Sequence, residues 1–258
     1  VTDWLAPLDE LMVLTTERLR LVEVEAPPLS AEEQELTDRA WDDAVLAQPS
    51  MFDGSVAASG GLGREGPDGL VLAWMRTTYR RYVLRKVPGA TCWLPHLFVS
   101  VLQPTDDGRL LLGRMASWTA APGRWQLPSG TGEPPKAEGE PLDVEGLRAL
   151  AARELREETG TEAAAEDLGL ECLLLGPRGD VGVVFRAPPR SVSSLRQQHE
   201  SLIEAEKARG HDPELDQIAF ASTSGELAAL DGPTADYLAL LVDRHSQYSQ
   251  HELGRIGR

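Results

Sequence analysis

The stretch Leu147 to Gly160, "LRALAARELREETG", constrains this chain more than any other, because one face of a helix changes its chemistry part-way along. At 100° per residue, Leu147, Ala151, Glu154 and Glu158 fall on one line, with Leu150 and Glu157 beside it. The upper half of that line is apolar and has to face a sheet or another helix. Its lower half puts carboxylates in the same core-facing sector. Like charges four residues apart cost a helix about 0.2–0.5 kcal/mol per pair, and acids near its C-terminus oppose the macrodipole. A buried, unpaired carboxylate costs more still. Three converging oxygen donors suit a hard divalent cation, Mg²⁺ or Mn²⁺. Arg153 sits one turn before Glu157 and is placed to hold it by an ion pair.

Composition narrows the partners. The chain has 258 residues and a formal net charge of −16, with Lys86, Lys136 and Lys207 as its lysines and arginine as its main cation. An acidic surface argues against nucleic acid or an anionic membrane as the main partner. An anionic small molecule would then need a metal ion or a local arginine to be held. Cys92 and Cys172 make no disulfide framework and read as thiols in a reducing compartment. No apolar run approaches the length of a membrane span, and "VTDWLAPLDE" lacks the basic-then-apolar pattern of a secretory signal. These readings together predict a cytoplasmic protein.

Residues 1–90 read as a small α+β domain. "LMVLTTERLRLVEVE" predicts two short strands joined by a turn. "SAEEQELTDRAWDDAVLA" predicts a helix capped at Ser30, with Glu33 completing a capping box. "SGGLGREGPDG" reads as a turn or exposed loop, "GLVLAWM" as a strand and "TTYRRYVLRK" as a short basic helix. From 91 to 245 a larger α/β domain is expected. "LFVSVLQ" and "RLLLGRM" flank the turn "TDDG" as a hairpin, and "RWQLPSG" is a short strand running into a loop. A helix follows over Val144–Thr159, with Asp143 as N-cap and Gly160 just past its end. "LECLLLG", "DVGVVFRA" and "LDQIAFAS" read as strands, "SSLRQQHESLIEAEKARG" and "PTADYLALLVDRH" as helices. Residues 246–258 read as a polar, frayed tail. Strands mixed with helices on both sides suggest an α/β/α sandwich with a mixed sheet.

"RELREETG" matches the core of a known motif. The Nudix box reads G-x5-E-x7-R-E-U-x-E-E-x-G-U with U aliphatic, and Arg153, Glu154, Leu155, Glu157, Glu158 and Gly160 all match it. Average residue usage puts a chance match of that core at about one in ten thousand. Thr161 stands at the last aliphatic position. Upstream, Gly139 and Glu145 complete the pattern by strict count, although a helical Glu145 lies opposite Glu154. "LPSGTGEPP" offers the family context instead, with Gly130 as the box glycine and Glu133 as the loop acid. Glu133 and Glu140 are the loop candidates for supporting the metal, with Glu145 third. Over about Cys92 to His245 the chain thus resembles Nudix hydrolases, which cleave a nucleoside diphosphate linked to another moiety. The resemblance implies a Nudix sandwich, Mg²⁺ or Mn²⁺ on Glu154, Glu157 and Glu158, and Arg153 orienting a glutamate. A box glutamate or a later loop acid would take a proton from water. Glu214 and Asp216 in "HDPELDQIAF" are candidates for that role.

A narrower resemblance concerns the substrate. "RAWDDAVLAQPSMFDG" followed by "TTYRRYVLRK" is similar to the N-terminal region of the Nudix branch that cleaves UDP-sugars, and "PSGTGEP" approximates its lengthened "PGGHPEP" loop, with Ser129, Thr131 and Gly132 as departures. This implies a nucleoside diphosphate sugar of the UDP-glucose or UDP-galactose type as substrate. ADP-ribose or a dinucleotide, and a silent Nudix domain that senses a nucleotide, are the alternatives. The N-terminal domain is also a candidate dimerisation surface, so a homodimer stays open. Arg80, Arg81, Arg85 and Lys86 read as a solvated basic face, Trp125 as a core residue, and Trp118 as a candidate for stacking on a base or sugar. His96, His199 and His211 show no metal-ligand spacing.

Overall fold

The computed structural model describes every residue except Val1, Ala6, Pro7, Leu8, Ser50, Glu138, Gly257 and Arg258; side chains are described up to Tyr248. In chain order the elements are β1 (Asp3–Trp4), β2 (Met12–Leu14), β3 (Arg18–Glu23), α1 (Ala31–Ala47), β4 (Ser55–Glu65), β5 (Gly69–Thr78) and α2 (Tyr79–Val83). Then come β6 (Leu97–Leu102), β7 (Leu110–Met115), β8 (Trp125–Gln126), β9 (Ser129–Thr131), α3 (Val144–Thr159), β10 (Gly169–Leu175) and β11 (Val181–Arg186). Last are α4 (Val192–Ala208), β12 (Leu215–Ala221), α5 (Ser224–Leu227) and α6 (Leu238–Ile256). The fold is mixed α/β. The chain forms two compact units, one of residues 1–99, 131–147 and 172–183, the other of residues 100–130, 148–171 and 184–258.

The first unit is organised by β5. Its run "GLVLAWM" is buried at every position, as a strand between two neighbours with both faces covered requires. It pairs antiparallel with β4 and parallel with β3, in the strand order β1-β4-β5-β3. Helix α1 starts where the sequence predicts. Ser30 accepts from the Glu33 amide while the Glu33 carboxylate accepts from the Ser30 amide, which completes the capping box. A second sheet in this unit joins β2, β10 and the first halves of β11 and β6. Leu173 faces Leu14, and the Val181 amide donates to His96 O.

Five expectations change here. "SGGLGRE" is not a loop, because β4 runs straight through it as strand. A register shift between Ser59 and Gly61 places Gly61 at φ +112°, so the glycines serve a bulge. A Cβ on Gly60 would press within 3.0 Å of Ala73 Cβ and Val24 Cγ2. The helix expected over "TTYRRYVLRK" keeps only Tyr79–Val83 plus a 3₁₀ turn, since both threonines extend β5. Its arginines are also not a solvated face. Arg80 pairs with Asp38 and Asp53, and Arg85 holds Asp180 through two bonds of 2.7 and 2.9 Å. The hairpin around "TDDG" is closed only at its turn, where Thr105 N donates to Arg109 O and Leu111 N to Gln103 O. Beyond the turn, β7 pairs with β8 and β12. Finally, the tail from Ser246 is helical to Ile256 as part of α6; the last two residues lie outside the described ones.

The second unit carries the sheet β12-β7-β8, antiparallel throughout. Leu111, Leu112, Leu127, Leu155, Phe185, Leu195, Leu238 and Val242 form its buried interior. Among the described residues no helix is long and apolar enough to cross a membrane.

Candidate functional site

Helix α3 begins as the sequence predicts, with the Gly146 amide donating to Asp143 Oδ1 at 2.8 Å, and ends at Gly160, whose φ of +72° lets the chain turn off. The apolar part of its stripe is sealed, with Leu147, Ala151 and Leu155 fully buried. Below them the acids divide. Glu158 is 2% exposed, Glu154 is half-buried, and Glu157 is exposed. Glu157 therefore lies outside the buried sector that helical spacing assigns to it. Arg156 Nη2 lies 3.4 Å from one of its carboxylate oxygens and Arg153 Nε 3.8 Å from the other, which holds it at the rim. Arg153 reaches Glu154 as well, at 3.4 Å.

Two features of the β8–β9 segment shape the buried end. The Ser129 amide donates to Glu158 Oε2 at 2.8 Å, while Glu158 Oε1 is buried with no hydrogen-bond partner. A buried acceptor left unpaired costs about 1–3 kcal/mol, more for a charged group. Next to Ser129, Gly130 lies directly against Glu154. A Cβ there would come within 2.5 Å of Glu154 Oε1 and 2.6 Å of its Cγ. Only a residue without a side chain leaves the Glu154 carboxyl where it is.

The electrostatics follow from this crowding. Burial first, then Glu214, Glu154 and Glu157, push the Glu158 carboxyl well above the usual glutamate value of 4.5, against the pull of the Ser129 amide. Burial raises Glu154 to about 7; Arg153 opposes this, and Glu157 and Glu214 add to it. Glu214 is itself raised by the protein packed around its carboxyl and by Glu157, although part of its surface is open to solvent. Folded Glu154 and Glu158 hold protons that the unfolded chain has released. The stability they contribute is therefore whole below about pH 4.5, and it is lost as pH rises through about 7 for Glu154 and through the raised value of Glu158. At neutral pH the metal-free site opposes folding, unless a cation takes the place of the protons.

Glu214, from the loop before β12, is brought to the acids of α3, since its charge acts on Glu154 and Glu158. Asp216, two residues on, is exposed, and its charge is felt by His199 of α4. Glu133 and Glu140 are exposed on loops of the other unit, and Glu145 is exposed in the first turn of α3. Trp125 is buried, with Nε1 donating to Asp231 O, as a core residue should be. Trp118 is exposed and pinned by Nε1 to Pro213 O at 3.3 Å, beside Glu214. Among the described residues no three His, Cys, Asp or Glu side chains gather about one point. What the site offers a cation is one buried carboxylate oxygen without a donor. That oxygen is Glu158 Oε1, and the charges of Glu214, Glu154 and Glu157 all act on its carboxyl. Sequence reading missed Ser129, Gln126 and Arg124. Their one signal is the period-2 placement of Arg124 and Gln126 on a common strand face.

No family model and no curated protein matches this chain. Among solved structures it is similar to the MutT protein from Methanosarcina mazei Go1, at 20% identity and a TM-score of 0.39, over 60% of this chain and 96% of that one. A Nudix hydrolase from Nitrosomonas europaea gives 19% identity and a TM-score of 0.36 over 60% and 90% of the two chains. RenU, a Nudix hydrolase from M. smegmatis, gives 16% and 0.32 over 61% and 86%. Likeness at this level carries no argument about activity, so function rests on the residues of this chain.

Proposed function

We propose that this chain is a metal-dependent hydrolase of the Nudix type, which cleaves the diphosphate linkage of a nucleoside diphosphate joined to another moiety. The observation that carries the reading is the unpaired Glu158 oxygen, set among the box carboxylates and beside a glycine that only the Glu154 carboxyl requires. Glu154, Glu157 and Glu158 are the residues that would hold Mg²⁺ or Mn²⁺. Such an ion neutralises a diphosphate, polarises a P–O bond and lowers the pKa of a bound water. Arg153 fixes Glu154 and Glu157 relative to each other. The Ser129 amide fixes Glu158. Glu214, exposed but brought to the α3 acids and raised by the protein around its carboxyl and by Glu157, is the proton acceptor for the attacking water, because a raised carboxyl is the better general base. The preferred substrate class is a nucleoside diphosphate sugar of the UDP-glucose or UDP-galactose type, on the strength of "RAWDDAVLAQPSMFDG" and "PSGTGEP".

The test is Mg²⁺- or Mn²⁺-dependent turnover across UDP-sugars, ADP-ribose, dinucleotides and nucleoside triphosphates, with Glu157→Gln alongside. Selective cleavage of UDP-sugars is expected, with the variant reduced on the order of 100-fold or more and its unfolding temperature unchanged. Preference for ADP-ribose or a dinucleotide would leave the hydrolase and remove the sugar assignment. Equal turnover by Glu157→Gln would remove that residue from the metal site. Tight nucleotide binding with no turnover on any member would favour the sensor.

A further inference from the structure

A diphosphate brings several negative charges to a chain that is itself acidic, and two of the three arginines on α3 are already engaged by its glutamates: Arg153 by Glu154 and Glu157, Arg156 by Glu157. Arg124 differs. It lies immediately before β8, is exposed, and has no ion-pair partner among the described residues. Its Nη2 donates to Gln126 Oε1 at 2.9 Å. Gln126 is 4% exposed, and its Nε2 donates to Ser129 Oγ at 2.9 Å. The Ser129 amide in turn donates to Glu158 Oε2. Three hydrogen bonds thus connect this guanidinium to the carboxylate at the centre of the site. Both ends of the Gln126 amide are engaged, so its orientation is fixed and it aims Arg124. A guanidinium offers five N–H donors in a planar fork, and the Gln126 bond uses one.

Arg148 and Arg114 are the other arginines to weigh, since each has an Nε that is buried without a hydrogen-bond partner. Arg148 lies six residues before Glu154 on α3 and about 120° round the helix from it, off the acidic line. The register pairs Arg114 with Trp125 and Gly113 with Gln126. Paired residues share a face and neighbours alternate, so Arg114 lies on the opposite face of the β7–β8 ribbon from Arg124 and Gln126. Arg114 is not presented to the same place.

We propose that Arg124 is the substrate-binding residue that holds the anionic diphosphate beside the α3 carboxylates, with Gln126 as the positioning residue that aims it. This deepens the hydrolase reading and rests on it. Arg124 supplies fixed positive charge and a fork that matches two phosphate oxygens. It makes that contact equally in the bound substrate and during reaction, so its loss acts on binding.

The experiment measures KM and kcat for the best-cleaved member of the panel, and calorimetric binding of UDP and of ADP with Mg²⁺, for the full chain and for Arg124→Ala, Arg124→Lys and Gln126→Leu. Arg124→Ala is expected to raise KM and the nucleotide Kd about 10- to 100-fold, with kcat within about threefold and the unfolding temperature unchanged. Arg124→Lys should recover part of the loss, because it restores charge without the fork. Gln126→Leu should fall between them and leave kcat in place, which loosened packing alone would not produce. If the native chain binds or cleaves and Arg124→Ala matches it within twofold in Kd, or loses kcat at unchanged KM, the assignment of Arg124 is overturned and the hydrolase reading stands. If the native chain neither cleaves any member nor binds UDP or ADP, the hydrolase reading fails and takes this inference with it.

Discussion

Glu158→Gln is expected to lower turnover by about two to three orders of magnitude and, at pH 7.5 without metal, to raise rather than lower the unfolding temperature. The two effects have one cause. The Glu158 carboxyl is buried, carries one partnered and one unpartnered oxygen, and sits where burial and three neighbouring acids disfavour its charge. Glutamine keeps the shape and can still accept from the Ser129 amide, but it carries no charge to desolvate. The gain in stability should be on the order of 1–3 kcal/mol, as for other strained functional sites relieved of a buried charge. A glutamate that only terminates a helix would behave the opposite way, with its removal leaving turnover intact. Kinetics and thermal unfolding of the same preparation separate the two.

The second large effect is expected at Gly130. Alanine there would meet the Glu154 carboxyl and stem, with distances of 2.5 and 2.6 Å to Oε1 and Cγ. The backbone at 130 is not among those with positive φ, so alanine brings no conformational strain, only the collision. Glu154 is the side that yields, because its end is flexible. Overpacking of a rigid core costs about 1–3 kcal/mol, and here most of that is avoided by the carboxyl swinging away. Gly130→Ala should therefore lose about 1 kcal/mol of stability or less yet about 100-fold or more in turnover, as displacing a reacting group by an ångström does. Adding Glu154→Ala should return the stability without returning activity. A Gly130→Ala protein with native turnover would show that the position of Glu154 is immaterial.

Much of this was legible in the sequence where local chemistry and long-range packing agree. Ser30 and Glu33 cap α1 as written, and Asp143 and Gly160 bracket α3. The misreadings fall where pairing partners override local preference. "SGGLGRE" carries every local signal of a turn, but a fully buried β5 offers a complete ladder, and the glycines serve a bulge and a close approach to Ala73. Glu157 reads as part of the buried stripe by angle alone. The arginines at 153 and 156 draw it to the rim. The polar line from Arg124 through Gln126 and Ser129 to Glu158 was hard to see because it runs through side chains at and around a two-residue strand and then through the Ser129 amide. The period-2 placement of Arg124 and Gln126 hints at its first bond, and nothing in composition or period encodes the rest.

Whether the α3 carboxyls hold a cation is decided by titration of Mn²⁺ into the metal-free protein, followed by calorimetry and by unfolding temperature at pH 5 and pH 7.5. Saturable binding at pH 7.5 that raises the unfolding temperature is expected, weakened at pH 5 where Glu154 and Glu158 keep their protons. Loss of at least about tenfold in affinity is also expected in Glu158→Gln. Absence of Mn²⁺ binding at pH 7.5, or binding that Glu158→Gln leaves unchanged, would contradict a cation site on these carboxyls.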